Sequence, residues 1–151
     1  MPITNFWNQI ATIESDYALY RKKILTKFAL TAAECDILLF LANNPLCDTG
    51  AEIAKIRRIP KSQVSLAVSS LSERGLVRKK MFPNNRKSIH LSLTEEAEPI
   101  VAYGAEIQRA FSRMLFGEFT EAEKAEFFRL HEKLAKTAEN QRGKEIWTTE
   151  L

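Results

Sequence analysis

Cysteine, histidine, glycine and proline are all scarce in this chain of 151 residues, which has two Cys, two His, five Gly and five Pro. So few glycines and prolines leave no room for a long low-complexity linker. Cys35 and Cys47 stand twelve apart, which is no CxxC spacing, and His90 and His131 have no ligand-spaced partner. No metal and no cofactor is therefore expected. In a reducing compartment both cysteines are free thiols. Cys35 lies between Glu34 and Asp36, which both disfavour a thiolate, so packing is the expected role for it and a redox switch is not. There is no Gly-rich phosphate loop and no nucleophile with an evident base, which speaks against an enzyme. No apolar run is long enough to cross a bilayer. The opening "MPITNFWNQIATIESDY" lacks the basic start and apolar block of a secretory signal. A cytoplasmic protein with no membrane partner is expected.

Acid is missing from one place in particular. From Lys55 to His90 there are ten Lys or Arg and a single acid, Glu73, a local balance of +9. The rest of the chain carries 12 basic and 18 acidic residues, a balance of −6, and the whole comes to +3. Ordinary solvated surfaces mix the two signs. A basic segment in an otherwise acidic chain points to a polyanion-binding surface.

Helices account for most of what is present. Phe6, Ile10, Ile13, Tyr17, Tyr20, Ile24 and Phe28 recur at steps of three or four, the period of one apolar helical face. "TAAE" at Thr31, "TGAE" at Thr49 and "TEAE" at Thr120 are T-x-x-E capping boxes, each ahead of a helix-like run. The first of these helices stops near Asn44 and Pro45, and the second ends before Pro60. A further helix begins near Pro60 or Lys61 with Pro at its first helical position. It buries Val64, Val68 and Leu71 and closes at Gly75. Two strands follow, Val77 to Met81 and Ser88 to Leu93, joined by "FPNNRK" as the turn. Thr94 then opens a helix with the stripe Ile100, Tyr103, Ile107, Phe111 and Met114, and a last helix follows Thr120. This order predicts a mainly α (α+β) fold, a winged helix-turn-helix with a small β-hairpin wing, flanked by long helices. The basic charge coincides with the winged helix.

With Val64, Val68 and Leu71 inward, the helix before Gly75 turns Lys61, Ser62, Ser65, Leu66 and Ser69 outward, with Gln63 at the edge. Gln pairs bidentately with adenine, Ser both donates and accepts, and Leu packs on a thymine methyl. Arg86 suits an electronegative minor groove. Lys79 and Lys87, with Arg78, Lys55, Arg57 and Arg58, are expected at phosphates or in support of the fold.

The stretch "LSERGLVRKKMFPNNRKSIHLSLTEEA" resembles the signature of the MarR regulators. Gly75, Arg78, Arg86, Leu91 and Thr94 carry the spacing. The resemblance implies a homodimeric transcription regulator, a repressor released by a small-molecule effector, bound to double-stranded DNA at a pseudopalindrome. Residues 1–30 and 95–151 would form the dimerisation region and 31–94 the DNA-binding winged helix. Relatives often have Asp at the two places before the wing Arg. Asn84 and Asn85 stand there in this chain, which removes two negative charges and a brace for Arg86. Leu66 stands where many relatives carry a polar or basic base-reader. Tyr17, Tyr20, Phe28, Phe40 and Tyr103 are the candidates for an effector pocket. The alternative function is a winged-helix interaction module whose basic face binds an acidic protein.

Overall fold

The computed structural model describes residues 3–140, and of residues 3 and 85–87 the backbone alone. The chain divides into two compact units, Met1–Phe111 and Ser112–Leu151. The elements in order are α1 (Ile3–Phe28), α2 (Ala32–Asn43), α3 (Gly50–Arg57), α4 (Lys61–Glu73), β1 (Val77–Phe82), β2 (Asn85–Leu93), a 3-10 turn (Glu95–Ala97), α5 (Glu98–Phe116) and α6 (Glu121–Asn140). This is the winged helix expected from the order of capping boxes and alternating strands.

The first unit is built round α2. Its sequence AAECDILLFLAN is apolar on nearly every side, and Cys35, Ile37, Leu38, Leu39, Phe40 and Leu41 are all buried. A helix apolar all round belongs in the middle of a core. Val64, Ala67, Val68 and Leu71 of α4, Ile53 and Ala54 of α3, and Ile100 and Ile107 of α5 join the same core. Gly104 lets α5 come close to α2, because a Cβ there would collide with Leu39 Cδ2.

All three capping boxes form. In each, the Thr hydroxyl accepts from the Glu backbone N–H and the Glu carboxylate accepts from the Thr backbone N–H, at 3.2 and 2.7 Å for Thr31 and Glu34, 3.3 and 3.0 Å for Thr49 and Glu52, and 3.2 and 2.8 Å for Thr120 and Glu123. Glu34 does more than cap. Its second oxygen accepts from the Ser70 hydroxyl of α4, and Arg74 at the end of α4 approaches to 3.7 Å. Arg74 in turn donates to the carbonyls of Phe28 and Ala29, 2.8 and 3.0 Å away, where α1 ends. A second cluster centres on Asp36. Arg21 of α1 donates to both its oxygens at 2.8 and 2.9 Å, and Arg57 of α3 lies 3.7 Å away. These contacts fix three helix ends on α2.

One end of α4 differs from the sequence reading and the other agrees with it. Pro60 sits at the N-cap of α4, one place before the first helical residue, with extended ψ of 136°. There it presets φ without removing a donor that the helix needs. The C-terminus of α4 is a Schellman motif: Gly75 takes φ of 71°, its N–H donates to Ser72 O at 3.1 Å, and the Leu76 N–H donates to Leu71 O at 2.9 Å.

The hairpin also departs from its expected form. The turn is two residues long, Pro83 and Asn84, since Phe82 pairs with Asn85. Pairing then jumps, so that Met81 faces Ile89 and residues 86–88 are inserted into β2. Arg86 and Lys87 therefore belong to a bulged strand and not to the turn. From Met81 and Ile89 the register runs unbroken to Val77 and Leu93. Its base is locked to the α4 terminus, because the Thr94 hydroxyl donates to Gly75 O at 2.6 Å and its N–H to Leu76 O at 3.2 Å. Thr94 thus gives its hydroxyl to the hairpin base rather than to a helix cap, and the 3-10 turn precedes α5.

In the second unit α6 has no buried side chain. Phe116, Phe127 and Phe128 cluster with centroids 5.3 to 5.5 Å apart, and Phe119 joins them at 5.4 Å from Phe116. His131 stacks on Phe127 at 5.9 Å.

Glu34 is only 4% exposed. Burial raises its pKa, but hydrogen bonds from Ser70 and Thr31 and the charge of Arg74 outweigh that and hold it below the ordinary 4.5. A carboxyl with a depressed native pKa stabilises fully above its unfolded value, and this contribution drains away as pH falls through the native value. Glu34→Ala should therefore lose about 1–3 kcal/mol at neutral pH, the cost of orphaned buried partners. Denaturant titrations across pH should show the gap between Glu34→Gln and wild type narrowing below pH 4.5. A gap that stays constant into acid would refute a charged Glu34 as the link.

Candidate nucleic-acid interface

Because Val64, Ala67, Val68 and Leu71 point into the core, α4 must turn the opposite face outward. Lys61, Ser62, Gln63, Ser65 and Leu66 are exposed and Ser69 is half-buried. The face has two flanks. Lys61, Ser65 and Ser69 turn towards the hairpin, where with Lys79 they line a groove of about 270 Å³ floored by Val64, Val68 and Leu91. Thr49, Gly50, Ala51, Ser88 and Ile89 also line it, none of which the sequence marks as a site residue. Gln63 lies on the other flank, where it and Leu66 line a shallow hollow with Thr31, Ala33, Glu34 and Ser70. Leu66 is 73% exposed. Of the six expected α4 residues, the structure thus puts three beside the wing and Gln63 on the side away from it.

Lys79 bridges wing and helix, its ammonium 3.4 Å from Ser69 Oγ. Arg78 and Lys80 alternate to the other face of β1. Nearby Glu96 is held below its ordinary pKa, first by a backbone hydrogen bond and last by the charge of Arg78. Lys80 covers the Phe82 ring at 4.8 Å, and Phe82 sets its edge against His90 at 5.0 Å. His90 Nδ1 lies 2.7 Å from Asp48 Oδ1, and the Leu91 N–H donates to Asp48 O at 2.8 Å. With the bridge between Thr49 and His90, the chain before α3 forms a third edge of the wing. Nothing in the local sequence signals that pairing, since its partners are 42 residues apart. The side chains of Arg86 and Lys87 lie outside the described residues, and their backbone is in β2.

The basic surplus is not all outward. Arg57 is turned to Asp36 and Arg74 to Glu34 and the end of α1. Lys55, Arg58, Lys61, Arg78, Lys79 and Lys80 are exposed. The solvent-facing charge that is free of these ion pairs thus lies on the wing, the start of α4 and the end of α3.

The five aromatic residues expected to line a pocket do not share one cavity. Tyr17 and Phe40 reach a cleft of about 220 Å³, with Asp36, Asn43, Arg57 and Gln108 around it. The Gln108 side chain bridges Asn43 and the Tyr17 hydroxyl, at 3.4 Å each. Tyr20 instead packs on Phe111 at 5.2 Å, and Phe28 on Tyr103 at 5.8 Å with Lys27 lying 4.0 Å over the Tyr103 ring. Among the described residues, no group of three or more His, Cys, Asp or Glu side chains converges as a metal site would require. No described helix is long and apolar enough to cross a membrane.

Residues 30–88 match a family model described as MarR family. Curated protein sequences include no match. Solved structures resemble the chain over nearly its full length. A MarR protein from Peptoclostridium difficile has a TM-score of 0.76 at 21% identity, covering 91% of this chain and 89% of that one. A MarR-family transcriptional regulator from Silicibacter pomeroyi has a TM-score of 0.75 at 23% identity, covering 91% and 90%. A mutant MarR from E. coli complexed with operator DNA has a TM-score of 0.68 at 19% identity, covering 87% and 94%. At these identities the likeness speaks for the fold.

The cysteines give this subsection its test. Cys35 is completely buried in α2, and its pKa is pushed up to about 11 by burial first and Asp36 second, against the charge of Arg21. Glu34, expected to share in this, spends its charge on Thr31, Ser70 and Arg74. A buried protonated thiol is inert. Native protein should take up a thiol reagent at half-buried Cys47 alone, and Cys35 should react only on denaturation. Mass spectrometry showing Cys35 modified in the native state would contradict this.

Proposed function

We propose that the protein, whose residues 30–88 match a model of the MarR family, is a sequence-specific DNA-binding transcription regulator, a ligand-responsive repressor that acts as a homodimer on a pseudopalindromic operator. One observation carries the reading. The outward face of α4 and the charge of the wing lie side by side, joined by Lys79 and Ser69. A helix of Ser and Gln suits base edges in a major groove, while a basic hairpin suits the backbone and minor groove beside it. Ser62, Gln63, Ser65 and Leu66 are assigned to bases. Lys61, Ser69, Arg78, Lys79 and Lys87 are assigned to phosphates, and Arg86 to the minor groove. The complex of a similar E. coli protein with operator DNA supports DNA as the partner.

Dimerisation is supported by apolar surface that neither unit covers by itself. In the first unit Trp7, Ile13 and Leu19 of α1 are exposed. In the second, Phe127, Leu130 and Leu134 share one exposed face of α6. Surface of this kind on a soluble protein marks an interface. Residues 1–30 and 95–151 are accordingly assigned to the dimer contact. Trp147, a further apolar candidate from the sequence, lies outside the described residues. The effector is assigned to the cleft at Tyr17, Phe40, Arg57 and Gln108, which touches α1, α2, α3 and α5 together. A molecule seated there bears on the helices that set the orientation of α4.

Two measurements test the proposal. Sedimentation at micromolar concentration should give the mass of a dimer, and a monomer alone would reject that part. Selection from random duplex DNA should yield a two-fold consensus, whereas an acidic-protein binder would yield none. On that consensus, Arg86→Ala should leave dimer mass intact and weaken binding. The salt slope of the dimer should then fall by about 1.8, from roughly 0.9 for each phosphate-equivalent lost per subunit. An unchanged slope and affinity would remove the wing from the interface.

A further inference from the structure

We infer that Leu66 is a specificity-determining residue which reads the C5-methyl group of one thymine in each half-site. The inference rests on the reading of α4 as the major-groove helix and extends it to a particular base.

Leu66 is the one large apolar side chain on the exposed face of α4. It is 73% exposed, whereas Val64, Ala67, Val68 and Leu71 of the same helix are buried. At 3.6 residues per turn it falls on the outermost line of the helix, between Ser62 one turn before and Ser69 nearly one turn after. That line is the part of the helix which goes deepest into a groove. The side chain is not part of the core cluster of the first unit and borders, with Thr31, Ala33 and Ser70, a shallow hollow on its surface.

An isobutyl group has neither donor nor acceptor, so it gains nothing from phosphates and nothing from the amino, carbonyl or ring-nitrogen groups of base edges. The only apolar group that a base presents in the major groove is the methyl of thymine. The neighbours of Leu66 fit this task. Ser62 and Ser69 are short and leave it projecting beyond them, the two lysines Lys61 and Lys79 lie on the hairpin flank, and Glu73, the exposed acid of α4, is two turns away. Its immediate surroundings can be desolvated without burying an ammonium group. Glu34, the acid in the hollow, is already 96% covered and engaged with Ser70 and Thr31, so it does not oppose an approaching base.

The test uses deoxyuridine, which pairs as thymine does and lacks only the methyl. Each thymine of the selected operator is replaced in turn, symmetrically in both half-sites, and affinity is measured for the wild-type dimer and for Leu66→Ala. Exposed Leu66 can be truncated without loss of core, and Ala is the better helix former. At one thymine position wild type should lose about fourfold in affinity per half-site, the worth of one methyl-sized group left in water. Leu66→Ala should bind the thymine operator more weakly and be indifferent to deoxyuridine at that same position, while keeping its responses at every other base. The proposal is overturned if no thymine responds to loss of its methyl, or if Leu66→Ala responds as strongly as wild type. A selection that returns no consensus overturns the regulator reading itself and this inference with it. A clear consensus bound equally well with and without every methyl overturns the role of Leu66 alone.

Discussion

A single carboxylate holds the geometry of the winged helix together. Glu34 caps the N-terminus of α2 through Thr31, receives the Ser70 hydroxyl of α4, and faces Arg74, which closes the end of α1. Taking a carboxylate out of water is costly unless every lone pair finds a partner. Here the partners come from the α2 cap and from α4, and Arg74 carries the link on to the end of α1, so the charge is tolerated only in one mutual arrangement of them. An apolar contact at the same place would permit α4 to rotate or slide with little penalty. A directional polar contact does not, and the direction in which α4 presents Ser62, Gln63 and Leu66 follows from it.

The second polar cluster does the same for the other side of α2. Asp36 neutralises Arg21 and Arg57, two cations that would otherwise add to the positive face. Together with Arg74, Arg57 shows that a basic count along a sequence overstates the basic surface. Two of the ten cations between Lys55 and His90 are engaged with carboxylates of α2. What remains outward lies on the end of α3, the start of α4 and the wing, with almost no acid between, which makes the electrostatic field more directional than the total charge implies. Because Asp36 and Arg57 also border the cleft at Tyr17 and Gln108, the ion pairs that fix α1 and α3 are within reach of whatever occupies it.

The parts legible in the sequence were those encoded within a few residues. The three T-x-x-E boxes were visible because Thr and Glu satisfy each other across three positions. Gly75 was visible because a Schellman motif asks for left-handed φ at one residue. The inward face of α4 followed from its period. The bulge of β2 was hidden, because an insertion of residues 86–88 breaks alternation and looks like a longer turn. The link from Glu34 to Ser70 spans 36 residues and carries no local mark. The same is true of Asp48 and His90. The separation of Gln63 from Ser65 and Ser69 depended on the rotation of α4 against the hairpin, which a helical period leaves undefined. The aromatic residues were sorted between cleft and core by the close approach of α5 at Gly104, a distance that no spacing rule contains.

The bulge has a consequence for how such a protein can change over generations. Below it, Met81 to Val77 pair with Ile89 to Leu93 and end on the Thr94 hydroxyl, and this ladder fixes which faces of the hairpin meet α4. Above it, residues 82–88 lie beyond the last regular pair. A residue gained or lost there alters the length of the tip, while the alternation below stays as it is. The wing can therefore be lengthened, shortened or recharged by small insertions and deletions at almost no cost to the body of the domain. Most hairpins lack that freedom, because one extra residue in them would turn the whole strand inside out. In this architecture the segment most exposed to a changing target is also the one that inherited variation can reshape most cheaply.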